Sequence, residues 1–492
     1  MSAKSVKLKT TLRIEGSLLL VMAVSMLPPL LIALAEKEAA SMRAFMLVIA
    51  GCIVLGVIPF ILFGPSQRKI KSRDGFLIVS LSWLVASVVG ALPFLLSGAM
   101  SSFADAFFES VSGFTTTGSS ILTDVEVLPR SILFWRSFTH WLGGMGIIVF
   151  ITALMPVFGI NGQLIANSET TGPTKGKILA RFSDQSRQLY KIYIAMTLVQ
   201  IILLKFSGIS WYDCAVHTFG SVGTGGLSIY NDSIAHYNNV YIELVIAVFM
   251  LLAAMNFNLY YAALKRGPKE IFRDEEARFF LLVVGVITTL IAVYNWIFDG
   301  FEAIGEKFMD SFFQVSSIIS TTGYMTDDYD VWPTFSKMMI LLLFFIGGCS
   351  SSTGGGIKAV RVLVGLKLVR RGVSLKLHPS RIAPITLSDK ELGSDATIRV
   401  SNFIFTYLCI LLLGTLLLAF DGHDLITNLS AAASSLGNVG PGFNLVGPTM
   451  NYSFFSDFAK YTCSVLMIVG RLELFTVLAL FSRHYWNPDR VN

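Results

Sequence analysis

The chain has 492 residues, of which 53% are apolar and 14% charged, and its 38 basic and 32 acidic residues leave a formal charge of +6. Soluble proteins carry about 25% charged residues, so this chain has too little polar surface to cover a water-soluble globule. The composition excludes a disordered chain, a soluble enzyme of ordinary composition and a nucleic-acid binder with a basic face. The five cysteines are scattered and show neither metal-ligand nor disulfide spacing.

Ten apolar stretches are long enough to cross a bilayer, which takes roughly 20 residues per helix. They predict an all-α polytopic membrane protein that is surrounded by membrane lipid. In chain order the predicted spans are 17–35, 44–64, 75–97, 137–157, 192–210, 244–264, 279–298, 334–370 (interrupted), 400–420 and 457–482. Because their number is even, both termini lie on the same side.

The basic residues predict that this side is the cytoplasm, where short loops are enriched in lysine and arginine. Acidic residues favour the opposite side. The proposed inner segments hold 29 of the 38 basic residues and comprise the N-terminal tail, 65–74, 158–191, 265–278, 358–399 and the C-terminal tail.

Four of the outer segments resemble one another, which indicates a fourfold internal repeat. They read DAFFESVSGFTTTGSS from Asp105, DCAVHTFGSVGTGGLS from Asp213, DSFFQVSSIISTTGYM from Asp310 and TNLSAAASSLGNVGPG from Thr427. A glycine stands 13 residues after each first residue, at Gly118, Gly226, Gly323 and Gly440. The three initial aspartates are predicted helix N-caps. The ten or so residues that follow suit a helix that enters the membrane without crossing it.

Each repeat is therefore predicted to be a spanning helix, a short re-entrant helix, an extended loop and a second spanning helix. Extended backbone at membrane depth persists only where protein buries it or water lines it. Four such strands around one axis would present rings of carbonyl oxygens, which can replace the hydration shell of a monovalent cation. The alternative interpretation is four surface loops that are rich in threonine and glycine.

Several motifs now show a clear resemblance to the Trk/Ktr/HKT superfamily of potassium transporters, and most of all to its bacterial TrkH/TrkG branch. The resemblance covers nearly the whole chain, including two extra N-terminal spans. The motifs are SGFTTTGSS, STTGYMT, GNVGPG, HWLGGMGIIVF (140–150), GGCSSSTGGGIK (347–358) and GRLELFT (470–476).

The resemblance implies that the four glycines and the residues before them form a potassium selectivity filter through their backbone carbonyls. The implied filter residues are Thr116, Thr117, Gly118, Thr224, Gly225, Gly226, Thr321, Thr322, Gly323, Asn438, Val439 and Gly440. In this superfamily, glycine at the position of Gly118 accompanies potassium selectivity and serine accompanies sodium transport. Repeats two and four depart from TTTG, so the filter is expected to be only pseudo-symmetric.

The segment GGCSSSTGGG interrupts the second helix of repeat three, because five glycines and four Ser/Thr residues among ten cannot hold a continuous helix. By resemblance it is a gating loop below the filter, with Gly354, Gly355, Gly356 and Lys358 as its functional residues. A helix kink or a tight packing patch is the alternative. Lys358 could face the cavity or anchor at the inner surface.

Arg471 is predicted to lie in the middle of a span, where a charge usually faces a pore or a partner. Glu473 is not expected to pair with it, because helical positions i and i+2 face different directions. The resemblance makes Arg471 a pore-facing gating residue, and an arginine that binds carbonyls of a neighbouring helix is the alternative. His140 and Trp141 are expected to be packing residues.

The predicted organisation is an N-terminal two-helix domain at 1–72, followed by the four repeats. Repeat one covers 73–163 with filter 115–118, and repeat two covers 188–266 with filter 223–226. Repeat three covers 276–375, with filter 320–323 and gating loop 347–357. Repeat four covers 396–484 with filter 437–440.

The resemblance implies a bacterial inner-membrane protein that works as a homodimer on a cytosolic regulatory ring, TrkA-like, which binds NAD(H) or adenine nucleotides. This chain has no Rossmann fingerprint, so it is expected to bind no nucleotide itself and to handle potassium only as the transported ion. It is not expected to be an enzyme.

Four alternatives remain open at this point. They are a sodium or mixed sodium/potassium transporter, a proton-coupled potassium symporter, a membrane enzyme, and an alternating-access carrier for an organic solute. The last of these typically has inverted rather than parallel repeats.

Overall fold

The computed structural model describes residues 3–64, 72–146, 182–300, 304–380, 383–388 and 390–486. The end of the predicted span 137–157 and most of the basic segment 158–191 lie outside the described residues, as do the first and last residues of the chain. The helices before the second repeat are α1 (Ala3–Ser25), α2 (Leu27–Ala35), α3 (Ala39–Leu62), α4 (Ser72–Leu96), α5 (Phe103–Phe114) and α6 (Arg130–Gly144).

The remaining elements are also mostly helical, with one short antiparallel β-hairpin on the chain between repeats three and four. They are α7 (Phe182–Lys205), α8 (Trp211–Gly223), α9 (Val240–Ala254), α10 (Phe257–Arg266), α11 (Lys269–Arg273), α12 (Glu275–Phe298), α13 (Ile304–Ile319), α14 (Thr334–Phe344), α15 (Ala359–Leu377), β1 (Thr386–Leu387), β2 (Lys390–Glu391), α16 (Ser394–Leu418), α17 (Leu425–Gly437), α18 (Asp457–Arg471), α19 (Phe475–Phe481) and α20 (Arg483–Trp486).

The four predicted repeats are four structurally similar units, which confirms the fold class. Each has a first helix of 24 or 25 residues (α4, α7, α12 and α16) and a short helix of 12 to 16 residues (α5, α8, α13 and α17). An irregular loop then leads to a second helix of 11 to 15 residues (α6, α9, α14 and α18). At 1.5 Å per residue the short helices are too short to cross a bilayer.

The units follow one another in a closed circle. The second helix of each unit packs against the short helix of the next: α6 on α8, α9 on α13, α14 on α17, and α18 back on α5. The N-terminal helices lie outside this circle, where α1 packs on α3 so closely that a Cβ on Gly16 would lie 2.7 Å from the carbonyl oxygen of Gly56. The four short helices therefore surround one central axis.

The membrane-spanning helices agree with eight of the ten predicted spans. Within the described residues, six helices can cross a membrane by length and composition, and two bent helix pairs raise the number to eight. These pairs correct the prediction of continuous helices at 244–264 and 457–482, because α9 and α10 meet at 91° and α18 and α19 at 113°. Asn256 causes the first bend by capping α10. At the second bend, Glu473 and Leu474 have φ of +56° and +55°, which a helix cannot accommodate.

The predicted aspartate N-caps are wrong, by about one helical turn at Asp105 and Asp213 and by nearly two turns at Asp310. Ser102 and Ser210 cap α5 and α8 by accepting hydrogen bonds from the backbone amides of Asp105 and Asp213. Asp310 lies inside α13. A hydroxyl three residues earlier satisfies the free amides equally well, and it leaves the Asp105 carboxylate to bind Lys460 of α18 at 2.6 Å.

One fully buried ion pair links the short helix and the second helix of repeat one. The Arg136 guanidinium lies 2.5 Å from the Glu109 carboxylate, and the two side chains are 3% and 0% exposed. Arg136 also donates to the Ser228 carbonyl of repeat two at 2.7 Å. Glu109 in turn accepts hydrogen bonds from the Ser120 hydroxyl and the Ile121 amide. The pair therefore holds the loop after α5 and the neighbouring repeat in place.

We expect Arg136→Ala to lower the free energy of unfolding by about 3–5 kcal/mol, because it leaves the Glu109 carboxylate buried without its partner. Arg130→Ala is the matched control, since the Arg130–Glu36 pair is 48% and 44% exposed and should contribute less than about 1 kcal/mol. Thermal unfolding of the detergent-purified variants measures both. Equal melting temperatures for the two variants would contradict this role of the buried pair.

Candidate functional site

All four predicted filter segments begin with the same backbone turn. The residue two places before each glycine has a left-handed conformation, with φ between +54° and +59° at Thr116, Thr224, Thr321 and Asn438. The next residue donates its amide to a carbonyl five residues back, as Thr117 does to Ser112 at 2.9 Å. The same bond recurs at Gly225, Thr322 and Val439. This is the hydrogen-bond pattern of a Schellman helix end, so each short helix delivers its loop to the axis in the same way.

The four glycines close a ring in which backbone packs directly on backbone. A Cβ on Gly118 would lie 2.1 Å from the Gly225 carbonyl oxygen, and one on Gly226 would lie 2.1 Å from the Thr322 oxygen. A Cβ on Gly323 would lie 2.5 Å from the Val439 carbonyl oxygen, and one on Gly440 would lie 2.7 Å from the Thr117 carbonyl oxygen. Each repeat thus presents to its neighbour the carbonyl that precedes its own glycine.

Several side chains beside this ring bind each other. The hydroxyls of Thr115 and Thr117 are 2.8 Å apart, and those of Ser320 and Thr322 are 2.7 Å apart. Asn438 donates to the Thr117 hydroxyl at 3.0 Å. The arrangement offers a cation oxygen atoms with partial negative charge and no carboxylate, which suits a weakly held monovalent ion.

On the side away from the predicted gating loop, the glycine ring opens into a cavity of about 150 Å³ that all four glycines line. The predicted pseudo-symmetry is visible here. The carbonyl oxygen of Gly440 accepts hydrogen bonds from Ser119, Ser434 and Tyr452 at 2.7–3.0 Å. The fourth strand is therefore fixed by hydroxyl groups at Gly440, directly after the residues at which its sequence departs from TTTG.

His140 supports the filter, a role that its expected packing function did not include. Its Nδ1 donates to the Gly113 carbonyl at 2.8 Å, and its Nε2 accepts from the Leu227 amide at 3.2 Å. A Cβ on Gly225 would lie only 2.2 Å from the imidazole ring. The side chain therefore joins the short helix of repeat one to the strand that follows the filter of repeat two.

The predicted gating loop lies directly beneath the filter. Its Gly355 amide donates to the Thr321 hydroxyl at 2.6 Å, and a Cβ on Gly355 would lie 2.4 Å from the Gly437 carbonyl oxygen. Gly354 is equally close to the strand of repeat three, since a Cβ on Gly354 would lie 2.9 Å from the Ser320 carbonyl oxygen. Glycine is needed at 354 and 355 because a side chain at either position would strike the predicted filter strands of repeats three and four.

The loop folds back on itself and completes the broken end of α9. Gly356 packs on Gly347, with only 2.8 Å between a built Cβ and the Gly347 Cα. The Cys349 amide donates to the Ala254 carbonyl at 2.8 Å, and the Thr353 hydroxyl donates to the Ala253 carbonyl at 3.0 Å. Carbonyls left free where α9 ends thus obtain partners inside the protein, as membrane depth requires.

Arg471 is the last residue of α18, at the break within the predicted span 457–482, and it joins three elements below the filter. Its guanidinium donates to the Thr353 carbonyl of the loop at 2.7 Å, and to the Gly143 and Gly144 carbonyls of α6 at 2.7 and 2.8 Å. Lys358 is buried and donates to the Gly354 carbonyl within the loop. Both cations therefore contact the loop through its backbone oxygens.

The sequence also matches the TrkH family, described as a cation transport protein, over residues 41–487. The chain belongs to this family. It is 33% identical to the Trk system potassium uptake protein TrkH of Halomonas elongata over 482 residues, which are 97% of this chain and 99% of that protein.

Two further relatives of the TrkH family cover almost the whole chain. The Trk system potassium uptake protein TrkH of Escherichia coli strain K12 is 34% identical over 480 residues, 96% of this chain and 98% of that protein. The crystal structure of the potassium transporter TrkH from Vibrio parahaemolyticus has a TM-score of 0.88 at 32% identity, and covers 98% of this chain and 100% of that chain. The predicted family and fold class are confirmed, and the chain is a transporter rather than an enzyme.

Glu276, at the start of α12, anchors the loop in this TrkH-family chain, and the sequence did not reveal it. The carboxylate accepts the Ser350 amide at 2.5 Å, the Ser350 hydroxyl at 2.6 Å and the Val360 amide at 3.2 Å. It is buried and holds both flanks of the loop. Glu473 pairs with Arg361 at 2.7 Å. Both partnerships join residues far apart in sequence, so spacing could not have indicated them.

We expect Glu276→Ala to speed hydrogen exchange of the Ser350 and Val360 amides by roughly ten- to a hundredfold, because a hydrogen bond to a charged group contributes about 1.5–3 kcal/mol. Glu270→Ala is the control, since Glu270 pairs with the exposed Arg273 instead. Hydrogen exchange read by mass spectrometry on peptides of 345–362 measures the effect. Unchanged exchange in Glu276→Ala would show that the carboxylate does not hold the loop.

Proposed function

We propose that this chain is the ion-conducting subunit of a Trk-type system and takes up potassium across the bacterial inner membrane. The observation that carries the proposal is the closed ring in which each filter glycine meets the carbonyl of the next repeat. The relatives named above are potassium uptake proteins and potassium transporters, and they match this chain along nearly its full length. Gly118 in the first repeat favours potassium over sodium.

In this proposal the ion loses its water at the outer cavity and is held by backbone carbonyls. The oxygens of Thr117, Gly225, Thr322 and Val439 are the first candidates, because each lies at a contact between neighbouring repeats. Thr116, Thr224, Thr321 and Asn438 set the turn that presents them. No side-chain charge has to be neutralised, so the ion can leave as readily as it enters.

The loop and Arg471 form the proposed gate. Gly354 and Gly355 lie against the inner end of the filter, and Gly356 packs on Gly347 within the loop. Arg471 connects the loop to α6 on the opposite side of the ring. A fixed positive charge about 5 Å from a potassium ion raises its energy by about 3 kcal/mol at an effective dielectric constant of about 20. Conduction then requires the loop to move, and Arg471 and Lys358 to move with it.

The orientation and partners follow from charge and from the Trk system of which the relatives are part. Both termini face the cytoplasm, where the basic segments are available to a regulatory ring. We propose a homodimer on a TrkA-like ring that binds NAD(H) or adenine nucleotides, while this chain binds none. The segment 358–399, with nine basic residues, supports docking on this side.

We expect the chain to restore growth at low external potassium to a bacterial strain that lacks its own uptake systems and is supplied with the regulatory ring. Gly118→Ala should abolish this rescue, because its Cβ would displace the Gly225 carbonyl. Gly98→Ala is the matched control, since Gly98 also has positive φ, +78°, but has open space around it. Failure of the expressed wild-type chain, or rescue by Gly118→Ala, would contradict the proposal.

Arg471→Gln should raise potassium flux into vesicles about tenfold to a hundredfold, because it removes the charge that opposes the ion and weakens the contacts of the loop. Arg43→Gln removes an exposed cation on α3, outside the basic inner segments, and should leave flux unchanged. Rubidium tracer uptake measures both variants. If the Arg471→Gln protein folds and its flux equals that of the wild type, Arg471 is not part of the gate.

A further inference from the structure

The segment that joins repeats two and three contacts the gating loop at both of its ends. We call residues 256–276 the connector; it contains α10, α11 and the first turn of α12. At its start, the Phe257 amide donates to the Ser351 carbonyl of the loop at 3.1 Å. At its end, Glu276 accepts the amide and the hydroxyl of Ser350. A displacement of the connector would therefore pull on adjacent loop residues from two sides.

The connector begins with a sharp change of direction. Helices α9 and α10 are together long and apolar enough to cross a membrane, but α10 turns 91° from α9. Of its ten residues only Phe257 is buried. The exposed side chains further along include Leu264 at 79% and Phe272 at 65% exposure. Apolar side chains so exposed, next to spanning helices, suit the boundary between headgroups and acyl chains.

The same stretch is strongly basic on its outside and directs its acidic groups inward. Its exposed cations are Lys265, Arg266, Lys269 and Arg273. Between 264 and 273 the only acidic residue is Glu270, which pairs with Arg273 at 3.1 Å. The three acidic residues that follow are all engaged: Asp274 caps α12, Glu275 binds Lys367, and Glu276 binds the loop.

We propose that the connector binds the headgroups of anionic phospholipids and that this binding holds the gating loop in its closed position beneath the filter. The proposal rests on the proposed function, which places the connector at the cytoplasmic leaflet and makes the loop a gate. Interleaved basic and apolar side chains match an anionic lipid surface in both charge and hydrophobicity. Lys265 also lies over the Tyr261 ring at 4.7 Å, and tyrosine is enriched at this depth of the membrane.

The first test is lipid binding by the full-length, detergent-purified chain, titrated with phosphatidylglycerol or phosphatidylcholine and read by native mass spectrometry. The triple variant Lys265→Gln, Arg266→Gln, Lys269→Gln should lose preference for phosphatidylglycerol by about fivefold per removed charge, the factor that corresponds to roughly 1 kcal/mol per basic residue. The control variant Arg370→Gln, Arg371→Gln, Lys376→Gln removes three exposed cations of α15 and should keep more of the preference.

The second test is rubidium flux in vesicles of phosphatidylcholine with and without phosphatidylglycerol. Phosphatidylglycerol should lower flux through the wild type and the α15 control, and it should have no effect on the connector variant. The proposal is overturned if the connector variant still responds, if the control loses the response equally, or if phosphatidylglycerol raises flux. It is also overturned if the connector variant loses only binding of the regulatory ring.

The two proposals fail in different ways. If the wild type carries no ion flux in either kind of vesicle, the proposed function fails, while native mass spectrometry still reports whether the connector selects anionic lipid. If flux is present but indifferent to phosphatidylglycerol, the transporter proposal stands and the lipid site does not control the gate.

Discussion

The structure depends on one steric constraint, which is the direct contact of backbone with backbone between neighbouring repeats at the four ring glycines. A built Cβ would lie 2.1–2.7 Å from a carbonyl oxygen of the next repeat at every one of these positions. Atoms that close cannot coexist, so four strands meet around one axis only because these residues have no side chain. The surrounding features, from the left-handed turn at Thr116 to the buried Arg136–Glu109 pair, keep the strands at that separation.

The layer beneath the ring follows a second constraint, that free backbone groups at membrane depth need partners. Helix α9 ends at Ala254 and α18 ends at Arg471, and both ends lie beside the loop that interrupts repeat three. Amides of the loop donate hydrogen bonds to the last carbonyls of α9. Arg471 donates hydrogen bonds to carbonyls of α6 and of the loop. The contacts that satisfy these broken ends are the same contacts that hold the loop under the filter, so any displacement of the loop requires them to be replaced.

Features that recur in every repeat could be predicted from the sequence, whereas single contacts between residues far apart in the chain could not. The aligned glycines predicted the repeats, and repeats of one orientation predicted a ring, because symmetry relates distant segments that share a pattern. Local geometry was harder to predict. Two helix caps lie one turn earlier than expected, and three threonines adopt a left-handed conformation that β-branched residues seldom take. The contacts of Glu276 and the Arg361–Glu473 pair were not predicted, because the partner residues lie 74 to 112 positions apart in the sequence and no repeated pattern relates them.

The central claim is that the ring formed by the four repeats is a site for a dehydrated monovalent cation. It is tested most directly by anomalous diffraction from crystals of this protein grown in rubidium. The account predicts anomalous density on the axis, at coordination distance from the carbonyl oxygens of Thr117, Gly225, Thr322 and Val439, and the loss of that density in Gly118→Ala. Rubidium bound only by side chains away from the axis, or an empty ring in the wild-type crystals, would contradict it.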